Sequence, residues 1–188
     1  MLRRARCPRR ALRGPKQEIA GFTLVEIGLA MTVLLVALMA MGASTLRMSS
    51  LRRQNRERAI AQNAIRTMSE QVHATSDRIR REGGPWAEEL IAELSEDGDL
   101  GATFSIRSLS PQVGEQTVGT IQVVIDETVT DDTLGFELGL PRDLDGDGNV
   151  DNVDVSATAQ ILPVIIRARW RGVSGEVQIS HPFYVIGY

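Results

Sequence analysis

Residues 143–154 hold five of the 24 acidic side chains of this 188-residue chain, at a spacing with chemical consequences. Asp143, Asp145, Asp147, Asp151 and Asp154 stand at positions 1, 3, 5, 9 and 12 of a twelve-residue segment, with Gly148 at position 6 and Asn149 at position 7. That spacing suits a loop wrapped around a hard divalent cation, and calcium is the ion it implies. The side chains of Asp143, Asp145 and Asp147 would converge on the ion. Asn149 would offer its backbone carbonyl, Asp151 would bind directly or through water, and Gly148 would allow the sharp turn. Asp154 stands where a longer, bidentate Glu is usual. Five carboxylates so close together repel one another, which favours a cation among them. An unliganded Asp/Gly turn is the alternative. Leu138-Gly-Leu-Pro141 before the loop and the strand-like residues after Val155 do not form the flanking helices of a paired sensor. The loop therefore reads as an insertion between sheet elements, where a cation would order a long connection.

Glu26 is the second chemical anomaly. It is the single ionisable group in the 22-residue run from Phe22 to Ala43. As a helix this run spans about 33 Å, enough to cross the hydrocarbon layer. A carboxylate there costs roughly 2.5–3.5 kcal/mol on insertion scales and calls for a partner. Lying at the interface and snorkelling to water is the other option. A secretory signal peptide would place its cleavage site after a shorter apolar core. Here a basic leader and a Gly21–Phe22 junction come before the apolar run.

The segment GFTLVEIGLAM resembles the class III signal of type IV prepilins and type II secretion pseudopilins. The resemblance covers about 25 residues, and it implies that a prepilin peptidase removes residues 1–21 by cutting between Gly21 and Phe22 and then methylates the new amine of Phe22. It also implies that Glu26, the fifth mature residue, supplies the counter-charge for the amine of a neighbouring subunit during assembly. The implied partners are other pilin or pseudopilin subunits and inner-membrane lipid. The implied location is the bacterial inner membrane, leader cytoplasmic and head periplasmic, before passage into a filament. The leader is long, Ala20 precedes the junction, and no proline lies between Pro15 and Pro85. These departures, the absence of cysteine after the leader and the calcium loop lean towards a minor pilin or pseudopilin.

Charge and composition narrow the function classes. The formal charge of -3 hides a partition into a leader of +6, a 47–82 segment of +5 and an 83–188 segment of -13. An acidic head is a poor ligand for phosphate backbones, so no nucleic acid is expected to bind it directly. Cys7 is the only cysteine and lies in the leader, which leaves no intrachain disulfide and no thiolate zinc site. With His73 and His181 alone, and no nucleophile–base set or phosphate loop, an enzyme is not expected. A structural filament subunit is the leading expectation. The alternative is a membrane-anchored, calcium-stabilised binding module that enters no filament.

Helical positions and strand alternation set the elements around these groups. The apolar run occupies 22–45, and an amphipathic continuation at 46–82 ends at Gly83-Gly84-Pro85. Ile60, Ala64, Met68, Val72 and Ile79, with Ala61 and Ile65 beside them, form its buried stripe. Arg52, Arg53, Arg56 and Arg58 suit an acidic neighbour, lipid headgroups or plain solvent. In the 83–188 head, Trp86–Leu94 reads as a short helix, and 103–109, 120–126, 161–171 and a segment from Val177 read as strands. A hairpin turn spans Gly172–Gly175. Val164, Ile166, Ala168 and Trp170 alternate with Arg167, Arg169 and Arg171, which implies one buried face and one solvated face. The expected class is α+β: a long N-terminal helix, half membrane and half amphipathic, packed on a small antiparallel sheet. Glu26→Ala should leave membrane insertion intact and reduce assembly. The check is the variant's share of the sheared-filament fraction against its share of the membrane fraction.

Overall fold

The computed structural model describes residues 23–188. The chain divides into two compact units, Met1–Leu46 and Arg47–Tyr188. One helix, α1 (Leu24–Glu82), begins in the first unit and supplies the amphipathic helix of the second. Leu24, Val25, Leu29, Leu34, Leu38 and Met41 are exposed in the first unit. Thr32 donates its hydroxyl to the Leu29 carbonyl at 2.7 Å and Thr45 to that of Gly42 at 2.8 Å, so these hydroxyls are satisfied along the apolar run.

In the second unit α1 buries Ala61, Ile65, Ser69, Val72, Ser76 and Ile79. Steps of three and four keep these on one face. Ile60, Ala64 and Met68 are only partly buried, while Ala61, Ile65, Val72 and Ile79 of the expected stripe lie on the deepest line together with two serines. Ser76 accepts a buried 2.9 Å hydrogen bond from Trp86 Nε1. It thereby ties α1 to α2 (Trp86–Glu93), which follows the expected stop at Gly83. Gly83 takes φ +77 and donates to the Ile79 carbonyl, a left-handed helix cap.

Four antiparallel strands follow in the order β1 (Thr103–Phe104), β2 (Gly119–Val123), β3 (Ile161–Gly172) and β4 (Gly175–Ile186). Together with α1 they make the α+β arrangement expected. β3 and β4 pair over their full length and close on Val173-Ser174, with Gly172 opposite Gly175 at φ +117. β1 is shorter than the 103–109 pattern suggests. The chain turns where Leu109 N–H meets the Ile106 carbonyl and Ser108 adopts φ +74, although Ile106 stays buried. β2 stops at Val123 rather than Asp126: Val124 N–H still reaches the Pro163 carbonyl of β3 at 2.9 Å, but the backbone from Ile125 on pairs elsewhere. Val155 N–H donates to the Ile125 carbonyl, and Glu127 N–H to that of Asn152.

The second face of the sheet is covered over the Pro163–Arg167 part of β3, where a solvated face was expected, and stays solvated towards the turn, where Arg171 and Gln178 are exposed. Val164, Ile166, Ala168 and Trp170 are buried towards α1, opposite Phe183, His181, Ile179 and Val177 of β4. On the other face Ile165 is equally buried. Arg167 lies over the Phe136 ring at 5.2 Å, and Arg169 forms an ion pair with Glu115. Tyr184 donates its hydroxyl to the Leu138 carbonyl at 2.5 Å, and Arg142 lies 5.4 Å from the Tyr184 ring. Apart from Glu115, which lies between β1 and β2, this covering layer is the 124–160 connection between β2 and β3. Its one helix among the described residues is α3 (Asp131–Leu134), an element the sequence pattern did not indicate, and Leu138, Leu140, Leu144 and Val155 are buried in the layer.

Candidate functional site

Leu144 sets the geometry of the acidic loop. It is fully buried, and its carbonyl accepts from both Gln160 N–H (2.8 Å) and Ile161 N–H (3.1 Å) at the entry to β3. Its neighbours Asp143 and Asp145 are thereby held at the edge of the core, each half-buried. Asp143 folds its carboxylate over the turn that follows. Oδ1 accepts from Gly146 N–H at 2.6 Å and Oδ2 from Gly148 N–H at 2.9 Å. Gly146 and Gly148 have φ of +81 and +90, conformations open to glycine and strained for other residues. The Gly146 and then the Gly148 amide hold the Asp143 carboxyl below its ordinary range, against a smaller opposing effect of burial. Asp145 accepts from Asp147 N–H at Oδ1, and from Asn152 Nδ2 (3.2 Å) and the Thr158 hydroxyl (3.1 Å) at Oδ2.

A third carboxylate reaches this pair from outside the loop. Glu127 is fully buried, and its Oε1 accepts from Leu144 N–H at 2.6 Å and Asp145 N–H at 3.2 Å. One carboxylate oxygen from each of Glu127, Asp143 and Asp145 lies within 4.8 Å of the other two. This is the acidic cluster among the described residues that could hold a metal ion. Its donors are all oxygens, a set for a hard cation. Glu127 Oε2 has no hydrogen-bond partner among the described residues. An unpaired buried acceptor costs about 1–3 kcal/mol, so this oxygen is the least satisfied point of the site.

Of the six loop residues singled out by spacing, the structure brings Asp143 and Asp145 together. Asp147 uses Oδ1 to accept from Asn149 N–H at 2.7 Å, within its own turn. Asp154 Oδ1 accepts from Ser156 N–H at 2.9 Å, and this bond holds its carboxyl below the ordinary range. Asp147, Asn149, Asp151 and Asp154 are exposed and stand outside the three-carboxylate cluster. Glu127 was not singled out from the sequence, although one signal was present. Ile121, Val123 and Ile125 alternate on one face, and the same parity places Glu127 at the next inward position, an acid where an apolar residue is expected.

At the other end of the chain, Gly21 and Phe22 lie outside the described residues, as does the leader. Glu26 is described. Its N–H donates to Thr23 Oγ1 at 3.3 Å, while Glu26 Oε2 accepts from Thr23 N–H and from the Thr23 hydroxyl, both at 3.1 Å. This reciprocal box caps the first turn of α1 and places a carboxylate at the positive end of the helix dipole. Among the described residues, α1 is the one helix long and apolar enough to cross a membrane.

Comparison of the chain with known protein families, with curated proteins and with solved structures finds no significant match. The long apolar helix whose second half lies on a small antiparallel sheet is compatible with a pilin-like fold. The depressed Asp143 and Asp154 carboxyls have a consequence for acid stability. A carboxyl lowered by folding stabilises the native state above its unfolded value, and this contribution is lost as pH falls through the folded value. In EDTA, thermal stability should therefore drop below about pH 4. Asp143→Asn should flatten that drop, as measured by melting temperature against pH.

Proposed function

We propose that this chain is a type IV pilin-like structural subunit, a minor pilin or pseudopilin, of a filament assembled from the inner membrane. The observation that carries the reading is the position of the described part of the GFTLVE motif, Thr23 to Glu26, at the start of α1. The helix begins at Leu24, three residues beyond the proposed cut, and Glu26 stands in its first turn. Cleavage after Gly21 would leave an amine on Phe22, so that Thr23, Glu26 and the new terminus form one polar cluster at the start of the apolar run of α1. In an assembled filament, the amine of one subunit and the Glu26 of another would neutralise each other in a low-dielectric setting. The basic 47–82 segment follows the apolar run, and its buried face joins the core of the head.

In this reading the carboxylate cluster of the head takes calcium from the extracytoplasmic medium. The support is an all-oxygen donor set in a segment with calcium-loop spacing, in a head that lacks cysteine. The cation would pin a long connection that has little regular structure of its own.

The intact mass of membrane-extracted protein, co-expressed with a prepilin peptidase, should match residues 22–188 plus one methyl group. Gly21 replaced by a bulky residue should retain the leader. An unprocessed wild-type chain would favour an anchored calcium-binding module instead. Calcium at a hundredfold excess over its dissociation constant should stabilise the head by about 2.7 kcal/mol relative to EDTA. Equal melting temperatures in the two conditions would remove calcium from the account.

A further inference from the structure

We infer that the cation site is tertiary: Glu127, 16 residues before the acidic loop, is one of its ligands through Oε2 and joins the end of the β2 arm to Asp143 and Asp145. The inference rests on the calcium reading above and changes what that reading means. A twelve-residue loop is self-contained, with every ligand drawn from one short segment and its last acid closing the shell. In this chain the last acid, Asp154, instead uses Oδ1 to cap the Ser156 amide, and it stands outside the carboxylate cluster. The third carboxylate within reach of Asp143 and Asp145 comes from Glu127.

Glu127 combines a structural role with that of a ligand. Its two oxygens are used unequally. Oε1 accepts from the Leu144 and Asp145 amides, which fixes the carboxylate plane against the segment carrying both aspartates. Oε2 has no partner among the described residues, although the residue is fully buried. A buried carboxylate held by one oxygen, with its other oxygen unpaired and two further carboxylates within reach of the residue, has the form of a preorganised monodentate ligand. A hard divalent cation satisfies the free oxygen and offsets the repulsion of the three acids. No His or Cys belongs to the cluster, which disfavours softer metals.

The backbone supports the same assignment. Glu127 N–H donates to Asn152 O and Val155 N–H to Ile125 O, so the 125–127 arm is already paired with the far end of the acidic segment. A cation held by Glu127, Asp143 and Asp145 would fasten that arm to the near end as well. Metal binding would then order the whole β2–β3 connection, including the layer under Ile165 and Tyr184, and not only the acidic turn.

The test is calorimetric titration of calcium chloride into the detergent-solubilised full chain, comparing wild type with Glu127→Gln and Asp154→Asn. Glu127→Gln keeps an oxygen that can accept from the Leu144 and Asp145 amides, and an EDTA melting temperature equal to wild type would confirm that it folds. The inference expects at least about a tenfold loss of affinity for Glu127→Gln and near-wild-type affinity for Asp154→Asn. Wild-type affinity in Glu127→Gln, with loss in Asp154→Asn, would overturn it and leave the calcium reading standing as a self-contained loop. No binding by wild type would remove both. Hydrogen exchange on the wild-type chain gives a second reading that needs no variant. Calcium should slow exchange at 125–128 together with 143–147, and protection confined to 143–154 would overturn the inference.

Discussion

Burial of β3 on both faces is the constraint from which the rest of the head follows. Val164, Ile166, Ala168 and Trp170 need an apolar surface on one side, and Ile165 needs one on the other. The second half of α1 meets the first demand with a regular stripe whose helical period matches a flat sheet face. The second demand falls to a connection of more than thirty residues with a single four-residue helix. Irregular backbone in that position leaves polar groups that neither a ladder nor a helix can pair. The layer is therefore held by side chains reaching its amides and carbonyls.

Those side chains are mostly acids. Asp131 accepts from Gly139 and Leu140 N–H, and Glu127 accepts from Leu144 and Asp145 N–H. For Asp131 burial acts to raise the carboxyl, and the Leu140 and Gly139 amides outweigh it and hold the group low. Tyr184 adds a hydroxyl to the Leu138 carbonyl from the sheet side. The acidity of the head is therefore partly architectural, because carboxylates are the strong acceptors available for amides left over in a loop layer. Grouping three of them within reach of one cation turns the same device into a metal site.

α1 serves two environments with one backbone. Its first half carries large apolar side chains outward and returns the Thr32 and Thr45 hydroxyls to its own carbonyls. Glu26, its acid, is engaged by Thr23 at the first turn. The second half uses small residues, Ala61, Ser69 and Ser76, along its deepest line. Small side chains let a helix backbone approach a sheet closely, and a serine can also receive the Trp86 indole, so polarity at a buried position becomes a joint between elements.

Local periodicity determined the α1 span and its stop at Gly83, the short helix at Trp86, and the long β3–β4 hairpin with its turn at Gly172–Gly175. Each depends on interactions within a few residues or on an unbroken alternation, so their patterns could be read along the chain. The spacing 143–154 likewise marked Asp143 and Asp145, and the GFTLVE segment marked Glu26. Tertiary structure alone decided that the arginine face of β3 is partly covered, since Phe136 and Glu115 reach Arg167 and Arg169 from distant loops while Arg171 stays exposed. It also decided that the β2 arm leaves β3 after Val124, because Ile125 and Glu127 find partners at Val155 and Asn152. Above all it decided that Glu127 joins Asp143 and Asp145. No local rule links residues 16 positions apart across an irregular connection; only the folding of the 124–160 layer onto β3 brings their carboxylates to one point.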